Sequence, residues 1–159
     1  MAKILIVYDS QTGNTEKMAF AIAEGAKQAK CAEVSVKKTD KTTLEDLLNA
    51  DGIIMGSPTY YGQMSAKLKD LIDSSARIHG KLNGKVGAAF TSSGGTASGA
   101  ETTLLSILQT MLVHGMLVQG RHDDKHYGAA AVEDPKKEEL ESCRELGKRV
   151  ANLASKLKA

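Results

Sequence analysis

Between the apolar run Lys3-Ile4-Leu5-Ile6-Val7-Tyr8 and the helical pattern from Glu16 to Lys30 stands one polar turn, Ser10-Gln11-Thr12-Gly13-Asn14-Thr15. A strand that runs through a hydroxyl-rich turn straight into a helix makes an anion site. The helix start offers unpaired N–H groups and the positive end of its dipole. Ser10, Thr12 and Thr15 add hydroxyls, Gln11 and Asn14 add amides, and Gly13 leaves the backbone free to turn. The turn holds no Lys or Arg. Such a turn suits a phosphate gripped by neutral donors and retained, rather than one being transferred. G-x-x-x-x-G-K-[ST] is absent, and no G-x-G-x-x-G follows the first strand. Those gaps argue against a P-loop and a Rossmann fingerprint.

The rest of the chain alternates in the same way. Apolar, β-branched runs predict strands at 3–8, 33–38, 52–56, 85–91 and 116–119, and periodic patterns predict helices at 14–30, 43–49, 64–76, 100–114 and 136–157. Thr42 with Glu45 and Ser98 with Glu101 have capping-box spacing, and Asp134-Pro135 sets a cap residue before a proline. Leu140, Cys143, Leu146, Val150, Leu153 and Leu157 form one stripe on the last helix. The fourth helix is apolar more widely, through Leu104, Leu105, Ile107, Leu108, Met111 and Leu112. Burial is the simpler reading of that face, with a subunit contact as the alternative. Five βα units predict an α/β fold, a doubly wound five-stranded parallel sheet with helices on both faces. A ligand turn after the first strand selects the order 2-1-3-4-5, whose switch point lies between strands one and three.

That topology requires the turns after strands three and four to be ligand loops as well. The first is Gly56-Ser57-Pro58-Thr59-Tyr60-Tyr61-Gly62-Gln63, stiffened by Pro58 and carrying two of the four tyrosines of a chain without Trp. The second is Thr91-Ser92-Ser93-Gly94-Gly95-Thr96-Ala97-Ser98-Gly99, whose small residues allow close backbone approach. A planar, phosphorylated ligand accounts for all three loops.

These residues resemble a known group. Tyr8 to Thr15, read as Y-x-S-x-T-G-N-T, resembles the FMN-phosphate signature of flavodoxins. Gly56–Met64, Gly84–Ser93 continuing to Glu101–Leu105, His114-Gly115-Met116, Tyr127-Gly128-Ala129 and the helix after Pro135 resemble the WrbA-type branch, the flavodoxin-like NAD(P)H:quinone oxidoreductases. The resemblance implies FMN, with Ser10 to Thr15 on its phosphate and Pro58, Thr59, Tyr60, Tyr61 and Gly62 along the isoalloxazine. It implies backbone donors from Ser92, Ser93, Gly94, Gly95 and Thr96 at the polar edge of the ring, and His114 near flavin or substrate. Residue by residue, His114 also has a plain reading: a dipole-favoured histidine at a helix end before a glycine cap. Tyr60 stands where the branch often has Arg, and the chain is shorter than the branch after the second and fifth strands. Those inserts help to form the family's tetramer, so a homodimer and a homotetramer both stay open.

Composition separates the function classes. The net charge of +2, without a Lys/Arg block, argues against nucleic acid, and no apolar run approaches a membrane span. Cys31 and Cys143 show no C-x-x-C spacing and read as ordinary thiols of a reduced, cytoplasmic protein. His122, Asp123, Asp124 and His126 match no metal spacing and read as a solvated loop. Two functions fit FMN. One is hydride transfer from NAD(P)H followed by two-electron reduction of a quinone. The other is one-electron carriage between redox protein partners. Carriers present acidic faces, whereas this sequence has a pI near 8.5 and no acidic cluster. The oxidoreductase is the preferred reading. A regulatory protein using FMN only for stability is a third class without a supporting motif.

Overall fold

The computed structural model describes residues 1–30 and 32–158. In chain order the elements are β1 (Ala2–Tyr8), α1 (Asn14–Gln28), β2 (Ala32–Lys38), α2 (Leu44–Asn49), β3 (Gly52–Pro58), α3 (Ala66–Ser74), β4 (Val86–Ser93), α4 (Ala100–Val113), β5 (Leu117–Val118), β6 (Ala129–Val132) and α5 (Lys137–Lys158). All strand pairings are parallel, in the order β2-β1-β3-β4-β5, with β6 also on β4.

Alternation along the strands builds two apolar layers. Ile4, Ile6 and Tyr8 of β1, with Ile54, Ala88 and Phe90, meet Met18 and Ile22 of α1 and Cys143, Leu146 and Val150 of α5. Leu5, Val7, Ile53, Met55 and Ala89 point the other way, onto Leu47 of α2, Leu68 and Leu71 of α3, and Leu104, Ile107 and Met111 of α4. Strands buried on both faces read as continuous apolar runs, which is why the pattern was legible. On the first face α1 and α5 touch backbone to backbone. A Cβ on Gly147 would lie 1.9 Å from the carbonyl oxygen of Ile22, and one on Gly25 would lie 1.9 Å from that of Arg144.

Several local expectations need correction. The capping box is Thr43 with Asp46, not Thr42 with Glu45; the hydroxyl of Thr42 donates to the carbonyl of Lys38 instead. Gly99, in a left-handed conformation, caps α4 without a side-chain bond, so the Ser98–Glu101 box does not form. The last helix starts two residues beyond Pro135, where the Lys136 N–H donates to Glu139 and Asp134 pairs with Lys17 at 2.5 Å. The third helix is capped by Ser65 and passes into a 3-10 turn at Ser75–Ile78. Only Leu117–Val118 of 116–119 is strand, because β4 has a second edge partner. Ala129–Val132, in a stretch expected to be loop, pairs with Phe90–Ser93 beyond the point where β5 leaves off. A short alanine run lacks the β-branched signal of a strand. The wide apolar face of α4 is only partly covered: Leu104, Ile107, Leu108 and Met111 are buried, while Leu105, Leu112 and Val113 are exposed. Cys143 is buried, and burial pushes its thiol up to about 12, so it is inert. Cys31 lies outside the described residues.

Candidate functional site at the switch point

At the carboxyl end of β1 the chain crosses to α1 through a turn closed by Gly13, which sits at φ +96°. An L side chain rarely adopts that angle, which explains the glycine. Its N–H donates to the hydroxyl oxygen of Ser10 at 3.1 Å. The N–H groups of Gln11, Thr12, Asn14 and Thr15 find no acceptor among the described residues. These groups surround the start of a fifteen-residue helix, so dipole and free donors converge on one point. Gln11 and Thr12 are exposed, and the side chains of Thr12 and Asn14 make no hydrogen bond among the described residues. Thr15 is different: it is buried, and its hydroxyl bonds that of Ser92 at 2.8 Å. One residue of the first loop thus fixes the third.

The second and third loops are joined just as closely. β3 and β4 pair as far as Pro58 and Ser92, so Ser92 and Ser93 are buried strand residues rather than loop. The Thr59 N–H donates to the carbonyl of Ser92 at 2.7 Å. Thr91 gives its hydroxyl hydrogen to the carbonyl of Ser57 at 2.7 Å, so the 2.9 Å contact between Thr59 and Thr91 has Thr59 as donor. Beyond Pro58, Tyr60 and Gln63 exchange both backbone hydrogen bonds at 3.0 Å. The two residues between them, Tyr61 and Gly62, sit at φ +50° and +74°, the signature of a type I′ turn. That tight turn lifts Tyr61 fully into solvent while Tyr60 is only just exposed. Against this turn rests the start of α4: a Cβ on Gly99 would lie 2.6 Å from Cα of Gly62. Gly94 and Thr96 are exposed and Gly95 is half-buried, with the Ser93 and Ser98 hydroxyls both donating to the Gly95 carbonyl.

One residue of this edge was missed as a site candidate. Asp9 directly follows β1, is buried, and donates its N–H to the carbonyl of Gly56 at 3.1 Å. Burial, then the Asp9 charge, raises the Tyr60 phenol above its ordinary range. Its only signal in sequence was its place just after β1.

His114 does not join the site within its own chain. It ends α4, whose fourteen residues carry it roughly 20 Å from the helix start. There, beside Gly115 and the start of β4, it faces the amino edge of the sheet. Ser75 gives its hydroxyl hydrogen to the carbonyl of Ile72, so the 2.8 Å contact between His114 Nε2 and Ser75 has the ring as donor. With its proton on Nε2, the neutral ring is the Nε2–H tautomer. Nδ1 is then a buried lone pair without a partner among the described residues. Burial, followed by the neighbouring His79, lowers the His114 pKa. The helix-end reading describes its position.

An edge with a cation-free N–H cradle, a stiff aromatic turn and a small-residue loop accepts a phosphorylated planar ligand. The comparisons agree with that geometry. Residues 2–123 match the family model described as NADPH-dependent FMN reductase. The chain belongs to this family. It is 43% identical to a protein of Aquifex aeolicus named flavodoxin, over 95% of this chain and 86% of that protein. It is 39% identical to an NAD(P)H dehydrogenase (quinone) of Archaeoglobus fulgidus, over 99% of this chain and the whole of that one. The fold is that of a WrbA-like flavodoxin of Agrobacterium tumefaciens, with a TM-score of 0.85 and 29% identity over 98% of this chain and 99% of that one. The structure is therefore flavodoxin-like, of the WrbA type. Among the described residues, no helix is long and apolar enough to cross a membrane.

Proposed function

We propose that this chain is an FMN-dependent NAD(P)H:quinone oxidoreductase. The observation that carries the cofactor is the N–H cradle at Gln11–Thr15, free of cations and tied to the third loop through Thr15 and Ser92. Those residues fit the phosphate of FMN, because neutral donors and a helix dipole hold a dianion without promoting its transfer. FMN held there would supply the two-electron redox chemistry that links a reduced nicotinamide to a quinone. The chain's own residues bind, orient and shield. Ser10, Thr12 and Asn14 complete the phosphate grip. Pro58, Thr59, Tyr60, Tyr61 and Gly62 hold one side of the ring, and Ser92 to Thr96 hold its polar edge. Tyr61, raised into solvent by the I′ turn, is placed to cover a planar substrate. No general base is required of the protein for hydride transfer.

A match of the family model to 122 of the 159 residues (2–123) and the Archaeoglobus relative support the nicotinamide and quinone assignments. Initial rates of NADPH and NADH oxidation with benzoquinone test them. One site used in turn by donor and acceptor gives parallel double-reciprocal lines. Intersecting lines, or no quinone-dependent oxidation, count against the proposal.

A second reading, a one-electron carrier, is favoured by the Aquifex relative and by chain length. Only short segments follow β2 and β5 in this fold, so no insert builds a wall around the substrate side. Reduction by a protein donor without turnover of either nucleotide would favour the carrier.

A further inference from the structure

Away from the switch point, the segment Gln119–Asp123 and one flank of α5 enclose a groove of about 620 Å³. Two arginines meet in it. Arg121 is held rigidly: Nε and Nη2 donate to the two carboxylate oxygens of Asp123 at 2.6 and 2.9 Å, and Nη1 lies 2.7 Å from Glu145. Arg149 stands close enough for the two cations to repel one another, and it is half-buried. Yet Arg149 has no carboxylate within ion-pair distance among the described residues. The carboxylates beside it, Asp123 and Glu145, are already engaged by Arg121. Lys148 and Lys156 line the same groove, also without an ion pair among the described residues, and Leu153 gives it an apolar wall. Four cations therefore face two carboxylates, and both carboxylates serve the same arginine.

A half-buried guanidinium beside a second one, with Glu145 and Asp123 near enough to attract it but neither paired with it directly, is an arrangement that an anion relieves. A guanidinium recognises phosphate through paired N–H donors. The groove volume exceeds that of a phosphate alone, and Leu153 suits an organic portion.

We propose that this groove is a second ligand site, separate from the loops at the switch point, which takes a phosphate-bearing small molecule of about mononucleotide size. Arg149 is its principal anion ligand, Arg121 a fixed neighbour, and Lys148 and Lys156 rim charges. The site stands independently of the FMN reading, because none of its residues belongs to the three ligand loops. It borders the segment that leads into β6, and β6 pairs with Phe90–Ser93.

The test is calorimetric titration of FMN-saturated protein, so that the first phosphate site is filled, with inorganic phosphate, pyrophosphate and ADP. Saturable one-to-one binding of pyrophosphate or ADP is expected. Tighter binding of ADP than of pyrophosphate supports a ligand with an organic part; equal binding overturns the mononucleotide-size assignment. Arg149→Gln is expected to weaken binding at least tenfold and Lys148→Gln about threefold, with Lys41→Gln unchanged. If Arg149→Gln does not fold, Lys148→Gln with Lys156→Gln replaces it, expected to weaken binding about tenfold. The proposal is overturned by no saturation with any of the three probes at millimolar concentration. Equal affinities in wild type and groove variants overturn it as well.

Discussion

Thr12→Ala separates phosphate recognition from every other role of the first loop. The Thr12 side chain is exposed and has no hydrogen bond among the described residues, so its removal leaves no orphaned partner in the apo-protein. Folding stability should change by ~0.5 kcal/mol or less. On the proposed phosphate assignment the same hydroxyl donates to a dianion when FMN is bound, and one hydrogen bond to a charged group contributes about 1.5–3 kcal/mol. The dissociation constant for FMN should therefore rise roughly 10- to 150-fold. Riboflavin carries no phosphate, and its affinity should be unchanged. Quenching of flavin fluorescence measures both constants on the same protein. Thr15→Val provides the contrast. It breaks the buried 2.8 Å bond to Ser92 and leaves that hydroxyl short of a partner, at about 1–3 kcal/mol of stability. Because Ser92 is the last residue of β4 paired with β3, at the base of the third loop, Thr15→Val should weaken both flavins. Parallel losses of FMN and riboflavin in Thr12→Ala would refute the phosphate assignment.

Three further outcomes follow from the geometry. Gly147→Ala places a methyl 1.9 Å from a backbone oxygen of α1, so α1 and α5 must separate; a destabilisation of about 1–3 kcal/mol or more is expected in urea unfolding. Gly99→Ala combines φ +102° with a Cβ 2.6 Å from Gly62; it should displace the Tyr61–Gly62 turn and change flavin binding or potential, measured by titration and redox potentiometry. The folded pKa of His114 lies below the ordinary 6.5. The unfolded chain therefore binds the extra proton first, and stability falls as pH drops through 6.5 towards the lower folded pKa. His114→Gln should flatten that part of the stability curve, and an unchanged slope would contradict the lowered pKa of His114.

The fold was legible because its central strands are buried on both faces. Runs such as Ile4–Val7 and Ile53–Met55 admit few other readings, and the order follows from right-handed crossovers and a ligand loop after β1. The three loops were legible because a switch point collects the carboxyl ends of strands by topology alone. Three things were hidden. β6 is an alanine run whose pairing depends on β4 having a free edge. The position of His114 depends on helix length and direction, which a motif does not encode. Asp9 is buried beside Gly56 of β3 and close to Tyr60, and a lone carboxylate after a strand carries no pattern.

On the proposed function, the three loops hold an FMN that a nicotinamide can reach directly. The measurement that tests it is an anaerobic titration of FMN-loaded protein with NADPH and NADH, followed in the visible spectrum. Full bleaching by at least one nucleotide, reversed on adding a quinone, is the result predicted. A flavin untouched by both nucleotides, but reduced by dithionite in two resolved one-electron steps, would contradict it and make the chain a carrier.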